Sequence, residues 1–123
     1  MKIYKCADCG TMVEEIKFDN GCHPSCCGKP MVEVIPGSVD AAAEKHVPAV
    51  TVDGNCVCVV VGSVEHPMTE AHYIEWIAIE TTTGQQKKCL TPADTPKAEF
   101  LLAEGEELKA TYAYCNLHGL WKA

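Results

Sequence analysis

Beyond residue 48 the apolar positions fall into short runs divided by turn-forming residues. The runs at 49–53, 56–61, 73–81, 86–90, 99–103 and 108–115 carry β-branched and aromatic side chains that suit a pleated surface, and each predicts a strand. Asp53-Gly54-Asn55 and Thr83-Gly84 have the composition of hairpin turns. Along Tyr73-Ile74-Glu75-Trp76-Ile77-Ala78-Ile79-Glu80 the alternation is imperfect, so no face is assigned to that run. Strands recurring about every 8–12 residues, without long helical periods, predict a small antiparallel sandwich.

The first 36 residues have a different texture, dominated by Cys, Gly and short polar turns. Their apolar residues (Ile3, Tyr4, Met12, Val13, Ile16, Phe18, Met31, Val32, Val34 and Ile35) are too few for an independent core. A unit this small needs a staple, and bound metal is the obvious one. Pro36-Gly37-Ser38 reads as a linker, which divides the chain into domains at 1–36 and 37–123. No repeat or low-complexity segment is visible.

Composition narrows the class. A chain of 123 residues with 47% hydrophobic content supports one modest core and a very small satellite. No apolar run approaches the roughly 18 residues of a membrane span, and Met1-Lys2-Ile3-Tyr4-Lys5 lacks the apolar core of a signal peptide. The expectation is a soluble, cytoplasmic protein. Nine cysteines, an odd count without such a signal, read as metal ligands in a reducing compartment rather than as disulfides. The net charge of -7 argues against a nucleic-acid partner. It would also repel an anionic substrate at long range, so any attraction has to be local.

Two groups of residues carry metal chemistry. Cys6-Ala7-Asp8-Cys9 and Cys26-Cys27 supply an S4 set suited to zinc or to a single iron, and spacing alone does not choose between them. The side chains of adjacent cysteines diverge, so the backbone must twist to bring Cys26 and Cys27 to one metal; Gly28 gives it room. Cys22 is an alternative ligand, and His23 reads as an exposed loop residue. The second group holds four of the five histidines and one cysteine: His46 before Val47-Pro48, His66-Pro67-Met68 with His72, and Cys115-Asn116-Leu117-His118. One isolated His is usually an ordinary residue, but these all lie at predicted strand ends or loops, where a sandwich could bring them to one rim. Four imidazoles and a thiolate leave one position of an octahedral iron open.

Three segments resemble the motifs of superoxide reductases. They are Glu44-Lys45-His46-Val47-Pro48, then Val61-Gly62-Ser63-Val64-Glu65-His66-Pro67-Met68 leading into His72-Tyr73-Ile74-Glu75-Trp76-Ile77, then Tyr114-Cys115-Asn116-Leu117-His118-Gly119-Leu120-Trp121. The Cys6/Cys9/Cys26/Cys27 pattern is similar to the desulforedoxin-like domain of their two-iron class, the desulfoferrodoxins. Sixteen residues separate Cys9 from Cys26, about one more than the family pattern, and Cys22 lies within that loop. The resemblance implies a mainly β protein: a small desulforedoxin-like (rubredoxin-like) metal-binding domain followed by an immunoglobulin-like antiparallel β-sandwich. It implies one iron on Cys6, Cys9, Cys26 and Cys27, and a second held by His46, His66, His72 and His118 with Cys115 as axial thiolate. Glu44 would occupy the sixth position in the oxidised state, and Lys45 would be the cation over the open face. The implied reaction is one-electron reduction of superoxide by Fe(II), with uptake of two protons and release of hydrogen peroxide. A rubredoxin-like electron donor and a homodimer are implied as well. The first iron would be a structural or electron-relay centre.

Other functions fit the residues less well. An electron carrier using only the S4 centre leaves the His/Cys group unexplained. Four histidines and a cysteine overfill the three protein ligands typical of a catalytic zinc site, and no general base is evident. Cys56 and Cys58 share one face of an apolar strand and read, with Cys89, as buried thiols acting as small hydrophobes. Trp76, Trp121, Tyr73 and Tyr114 read as core or site-shielding aromatics. Lys87-Lys88 reads as a solvated strand edge, with a docking surface for an acidic electron donor as the alternative.

Overall fold

The computed structural model describes residues 1–17 and 21–123. Phe18, counted above among the apolar residues of the first segment, lies outside the described residues. The chain forms two compact units, Met1–Ile35 and Pro36–Ala123.

In the first unit, β1 (Ile3–Lys5) pairs antiparallel with both β2 (Met12–Glu14) and β5 (Val32–Glu33). A separate ribbon joins β3 (Ser25–Cys26) to β4 (Lys29–Pro30). Its core consists of Tyr4, Cys6 and Met31, with Val13 and Cys26 packed against them. Two cysteines thus belong to the hydrophobic cluster itself. Ile16 is 96% exposed, so part of an already short apolar inventory is not used for burial. These observations agree with a unit that needs a metal staple.

The second unit is a sandwich of two antiparallel sheets. One contains β6 (Pro48–Asp53), β7 (Cys56–Val61) and β10 (Lys97–Leu101), in the order β10-β7-β6. The other contains β8 (Ile74–Thr81), β9 (Gln85–Cys89), β11 (Leu108–Cys115) and β12 (Gly119–Lys122), in the order β12-β11-β8-β9. Val57, Val59 and Val61 of β7 meet Ile74, Ile77 and Ile79 of β8, Phe100 of β10 and Ala113 and Cys115 of β11 in one core. A mainly β chain with a small cysteine-rich unit ahead of an antiparallel sandwich is therefore what the sequence folds into.

Three differences from the sequence reading have physical causes. The imperfect alternation of β8 is a bulge: Tyr114 faces Trp76 but Cys115 faces Ile74, so Glu75 is the extra residue. That insertion lets Ile74 and Ile77, an odd number of residues apart, both point into the core. Cys56 and Cys58 do share a face, but it is the outer one. Both are half-buried, and Cys89 is exposed, so the reading of these thiols as buried hydrophobes is corrected. In an all-apolar strand, period two says which residues go together without saying which set faces inward. Finally, β10 begins two residues earlier than expected, and β12 and the single helical turn α1 (Ala43–His46) were too short to leave a pattern.

Candidate metal centres

The N-terminal centre grows from two tight turns. After β1 the chain folds back so that Cys6 N–H donates to Thr11 O at 2.8 Å and Gly10 N–H donates to Cys6 O at 3.0 Å. Cys9 N–H points at Cys6 Sγ, 3.5 Å away. On the other side, Cys27 adopts φ +51° between β3 and β4, followed by Gly28 at +72°. The left-handed turn at Cys27 is the twist that adjacent cysteines need to converge. It puts Cys26 Sγ 3.9 Å from Cys27 Sγ and 3.5 Å from Cys9 Sγ. The ligand atoms of Cys6, Cys9, Cys26 and Cys27 all lie within 4.8 Å of one another. Cys22, the alternative ligand, is exposed and outside this quartet, and His23 is exposed.

Ionisation of Cys9 opposes that of Cys26 and Cys27. Cys9 is held down at about 6, first by the Thr11 hydroxyl and amide and then by Cys26 and Cys6. Cys26 is pushed up to about 12, chiefly by the neighbouring Cys9 sulfur and then by Cys6 and Cys27. Cys27 is raised as well, with Cys9 again the largest cause. Each further thiolate would form beside an existing negative charge, which a bound metal cation removes.

The second group gathers at one end of the sandwich. His46 closes α1 just before β6, His66 and His72 lie in the connection from β7 to β8, Cys115 ends β11, and His118 sits in the turn before β12. The four rings form a closed cycle. Ring centroids are separated by 4.8 Å for His46–His66, 4.6 Å for His66–His72, 5.0 Å for His72–His118 and 4.8 Å for His118–His46, each pair close to edge-on. Across the cycle, His46 and His72 are 6.3 Å apart. Cys115 Sγ lies 3.9 Å from His118 Nδ1 and within 4.8 Å of the ligand atoms of His46, His66 and His72.

Hydrogen bonding fixes two of the four tautomers. His46 Nδ1–H donates to Ala42 O and His66 Nδ1–H donates to Pro67 O, both at 2.7 Å. A carbonyl only accepts, so the proton sits on Nδ1 and each neutral ring turns a bare Nε2 inward. Those two Nε2 atoms are 3.2 Å apart, and His46 Nε2 is 3.0 Å from His118 Nδ1. His72 Nε2 is buried with no hydrogen-bond partner. The bare Nε2 lone pairs of His46 and His66 face one another and repel unless a cation lies between them.

Protons are poor candidates for that cation near neutral pH. Burial lowers the proton affinity of His46 and His72, and pushes His66 down to about 4. Burial also raises the Cys115 thiol, opposed by the backbone N–H groups of His118 and Leu117. The donor set therefore fits a metal ion: ligand atoms of His46, His66, His72 and Cys115 lie within 4.8 Å of one another, and His118 Nδ1 is 3.0 Å from His46 Nε2. Zinc prefers a tetrahedron of four ligands, whereas iron accepts five or six.

Glu44 and Lys45 are exposed on α1, immediately before His46 and outside the donor cluster. Several residues of the quoted motifs, given no individual role beyond Trp121 as a core or shielding aromatic, support these donors. Val64 N–H and the Ser63 hydroxyl donate to Glu44 O at 2.9 and 3.2 Å. A Cβ on Gly62 would come within 2.6 Å of Glu44 O and 2.9 Å of Lys45 C, so only glycine allows this turn to pack on the ligand segment. Trp121 stacks on His46, with ring centroids 4.8 Å apart, while its Nε1–H donates to His118 O at 3.1 Å. It packs on one ring of the cycle and holds the backbone that carries another.

This arrangement has known counterparts. The family model described as Desulfoferrodoxin matches residues 38–123. The chain belongs to the desulfoferrodoxin family. Its likeness to curated desulfoferrodoxins extends over both units. A desulfoferrodoxin homolog of Archaeoglobus fulgidus is 45% identical over 123 residues, covering 100% of this chain and 96% of the relative. A desulfoferrodoxin of Nitratidesulfovibrio vulgaris is 45% identical over 122 residues, covering 99% and 94%. Among solved structures, the superoxide reductase from Treponema pallidum superposes with a TM-score of 0.80 at 38% identity, covering 93% of each chain. The superoxide reductase (1Fe-SOR) from Giardia intestinalis gives 0.57 at 36% identity, covering 65% of this chain and 95% of that one. No helix among the described residues of this desulfoferrodoxin-family chain is long and apolar enough to cross a membrane.

Proposed function

We propose that this chain is a superoxide reductase of the two-iron class, reducing superoxide to hydrogen peroxide. The observation that carries the reading is the closed cycle of His46, His66, His72 and His118 with the Cys115 thiol beside it. Five donors of this kind leave one position of an octahedral metal for a small oxidant. On this reading the iron-binding domains span 1–36 and 37–123. Cys6, Cys9, Cys26 and Cys27 hold the first iron; His46, His66, His72, Cys115 and His118 hold the second.

Iron held by His46, His66, His72, His118 and Cys115 would supply the reductant, one electron for each superoxide, which with two protons makes hydrogen peroxide. The chain's own residues prepare that exchange. Carbonyl groups of Ala42 and Pro67 hold the Nδ1 protons of His46 and His66, so that both rings are neutral donors of fixed orientation. Cys115 contributes a single thiolate, moderated by the Leu117 and His118 amides. Lys45 provides local positive charge beside the ligand segment of a chain whose net charge is -7, drawing in the anion and ordering a proton-donating water. Glu44 is assigned as the carboxylate that would bind the oxidised iron. A reduced carrier such as rubredoxin would return the electron, and the first centre, with four protein thiolates, is assigned a structural or relay role. A cytoplasmic homodimer completes the reading; nine free thiols suit a reducing compartment.

The test is stoichiometric. Reduced, iron-loaded protein pulsed with superoxide should form hydrogen peroxide as the iron–thiolate absorption of the oxidised centre appears, with no dioxygen evolved. Dioxygen release would indicate dismutation instead, and a colourless protein that does not react would exclude the reading.

A further inference from the structure

His72 is the ligand whose ring orientation is least explained by its own contacts. Main-chain carbonyls grip the rings of His46 and His66, and Trp121 stacks on His46 while bonding the His118 carbonyl. His72 Nε2, by contrast, is buried without any hydrogen-bond partner. Beyond the edge-on packing of its ring against His66 and His118, its direction comes from the backbone that carries it. That backbone lies in an irregular connection, where Thr69 and His72 close a small turn through Thr69 N–H to His72 O at 2.9 Å and His72 N–H to Thr69 O at 3.1 Å.

The turn is tied to the rest of the site by one side chain from a distant part of the sequence. Asn116 Oδ1 accepts from Tyr73 N–H at 2.9 Å, and Asn116 Nδ2–H donates to Ala71 O at 3.0 Å. Its own N–H donates to Tyr73 O at 3.2 Å. The partners leave no ambiguity about the amide's orientation, because an N–H must donate and a carbonyl must accept. All three bonds fall on the residues flanking His72. They extend the β8–β11 pairing, whose last rung is Ile74 with Cys115, by one further step. Asn116 follows Cys115 directly, so the same residue that brackets one ligand is covalently attached to another.

We infer that Asn116 is a positioning residue for the metal centre, setting the height and direction of His72 relative to Cys115. The inference deepens the reading of this site as a metal centre, yet it concerns how the chain binds metal and not the reaction with superoxide. Carboxylate or hydrocarbon cannot replace the amide. Aspartate keeps the acceptor for Tyr73 N–H but turns a second oxygen toward Ala71 O, and alanine loses both bonds.

Cobalt(II) binding to the full chain provides the test, with the N-terminal thiolate centre of the same molecules as an internal reference. Chelator competition and the cobalt absorption bands are compared in the parent, Asn116→Ala, His72→Ala and the double variant. Outer partners of metal ligands typically change affinity by about 10–100-fold, and Asn116→Ala should weaken the second centre by that order and shift its bands. Added to His72→Ala, the same change should cost less than about twofold, since the ligand it positions is gone. Asn116→Asp, which keeps one bond but sets two acceptors against each other at Ala71, should also weaken the second centre and shift its bands, and it carries the test should the alanine variant misfold. Unchanged affinity and bands in Asn116→Ala, or a full repeat of its loss on the His72→Ala background, would overturn the assignment. Failure of the superoxide reaction would leave the cobalt result untouched, so the two readings fall separately.

Discussion

Burial pushes the proton affinity of His66 down to about 4 from its ordinary 6.5. Between those values the unfolded chain takes the proton and the folded chain does not. The stability this residue contributes is therefore complete above about 6.5, declines as the pH falls, and is lost below about 4. Urea unfolding of metal-free protein should show this loss across that window, and His66→Gln should reduce it, leaving the part due to His46 and His72. Lys45 is a second residue whose effect is separable. Replacing it with alanine should slow the reaction with superoxide and weaken its dependence on ionic strength while iron content stays unchanged, because the residue acts by charge and not by ligation. An unaltered rate constant and salt dependence would remove it from the mechanism. Gly62 acts through shape: a methyl group there overlaps the Glu44 and Lys45 backbone. Gly62→Ala should cost about 1–3 kcal/mol of stability, the range seen for overpacking, and displace the segment that carries His46. Thermal denaturation and the visible spectrum would report both effects.

Strand β7 tests the face assignment directly. Val59 is fully buried, while Cys58 beside it is half-buried on the outer face. Val59→Ala should destabilise the sandwich by about 2 kcal/mol through lost burial and an imperfectly closed cavity. Cys58→Ser should change stability by no more than about 0.5 kcal/mol. Equal costs would mean that the faces are reversed. The strand itself was legible in the sequence, and its bounds agree with the structure, because a β-branched run between turn residues has few alternatives. Which face points inward was not legible, since Cys and Val are similarly apolar. The bulge at Glu75 was visible only as a broken alternation, and its position depends on pairing with a strand some forty residues away. Asn116 was less legible still. An asparagine after a cysteine has many uses, and this one exists only once residues 71–73 are brought beside it. The candidate metal donors were the easiest to single out, because cysteines and histidines at chelating spacings have few competing explanations.

At the scale of the whole molecule, each compact unit has its own core and its own set of donors. In the first unit those overlap, since Cys6 and Cys26 are both core and ligand. Cys9→Ser should therefore disorder residues 1–35 along with loss of the first centre, as expected where metal binding and folding are one equilibrium. The charge-transfer band of the second centre should survive, because its donors are held by a sandwich with an apolar core that contains none of the N-terminal cysteines. Proton exchange resolved along the chain, together with metal analysis, distinguishes this outcome from a cooperative collapse of the entire protein.

The grip on the His46 ring has an evolutionary corollary. Its Nδ1–H is received by the carbonyl of Ala42, a group that every amino acid carries. Position 42 can drift through many side chains without loosening that imidazole, provided the preceding loop keeps its course. The equivalent clamp on His72 relies on an amide that only asparagine places there. Mutational tolerance around the metal should accordingly be uneven, wide at Ala42 and narrow at Asn116, and a saturation library scored for metal retention would display the contrast.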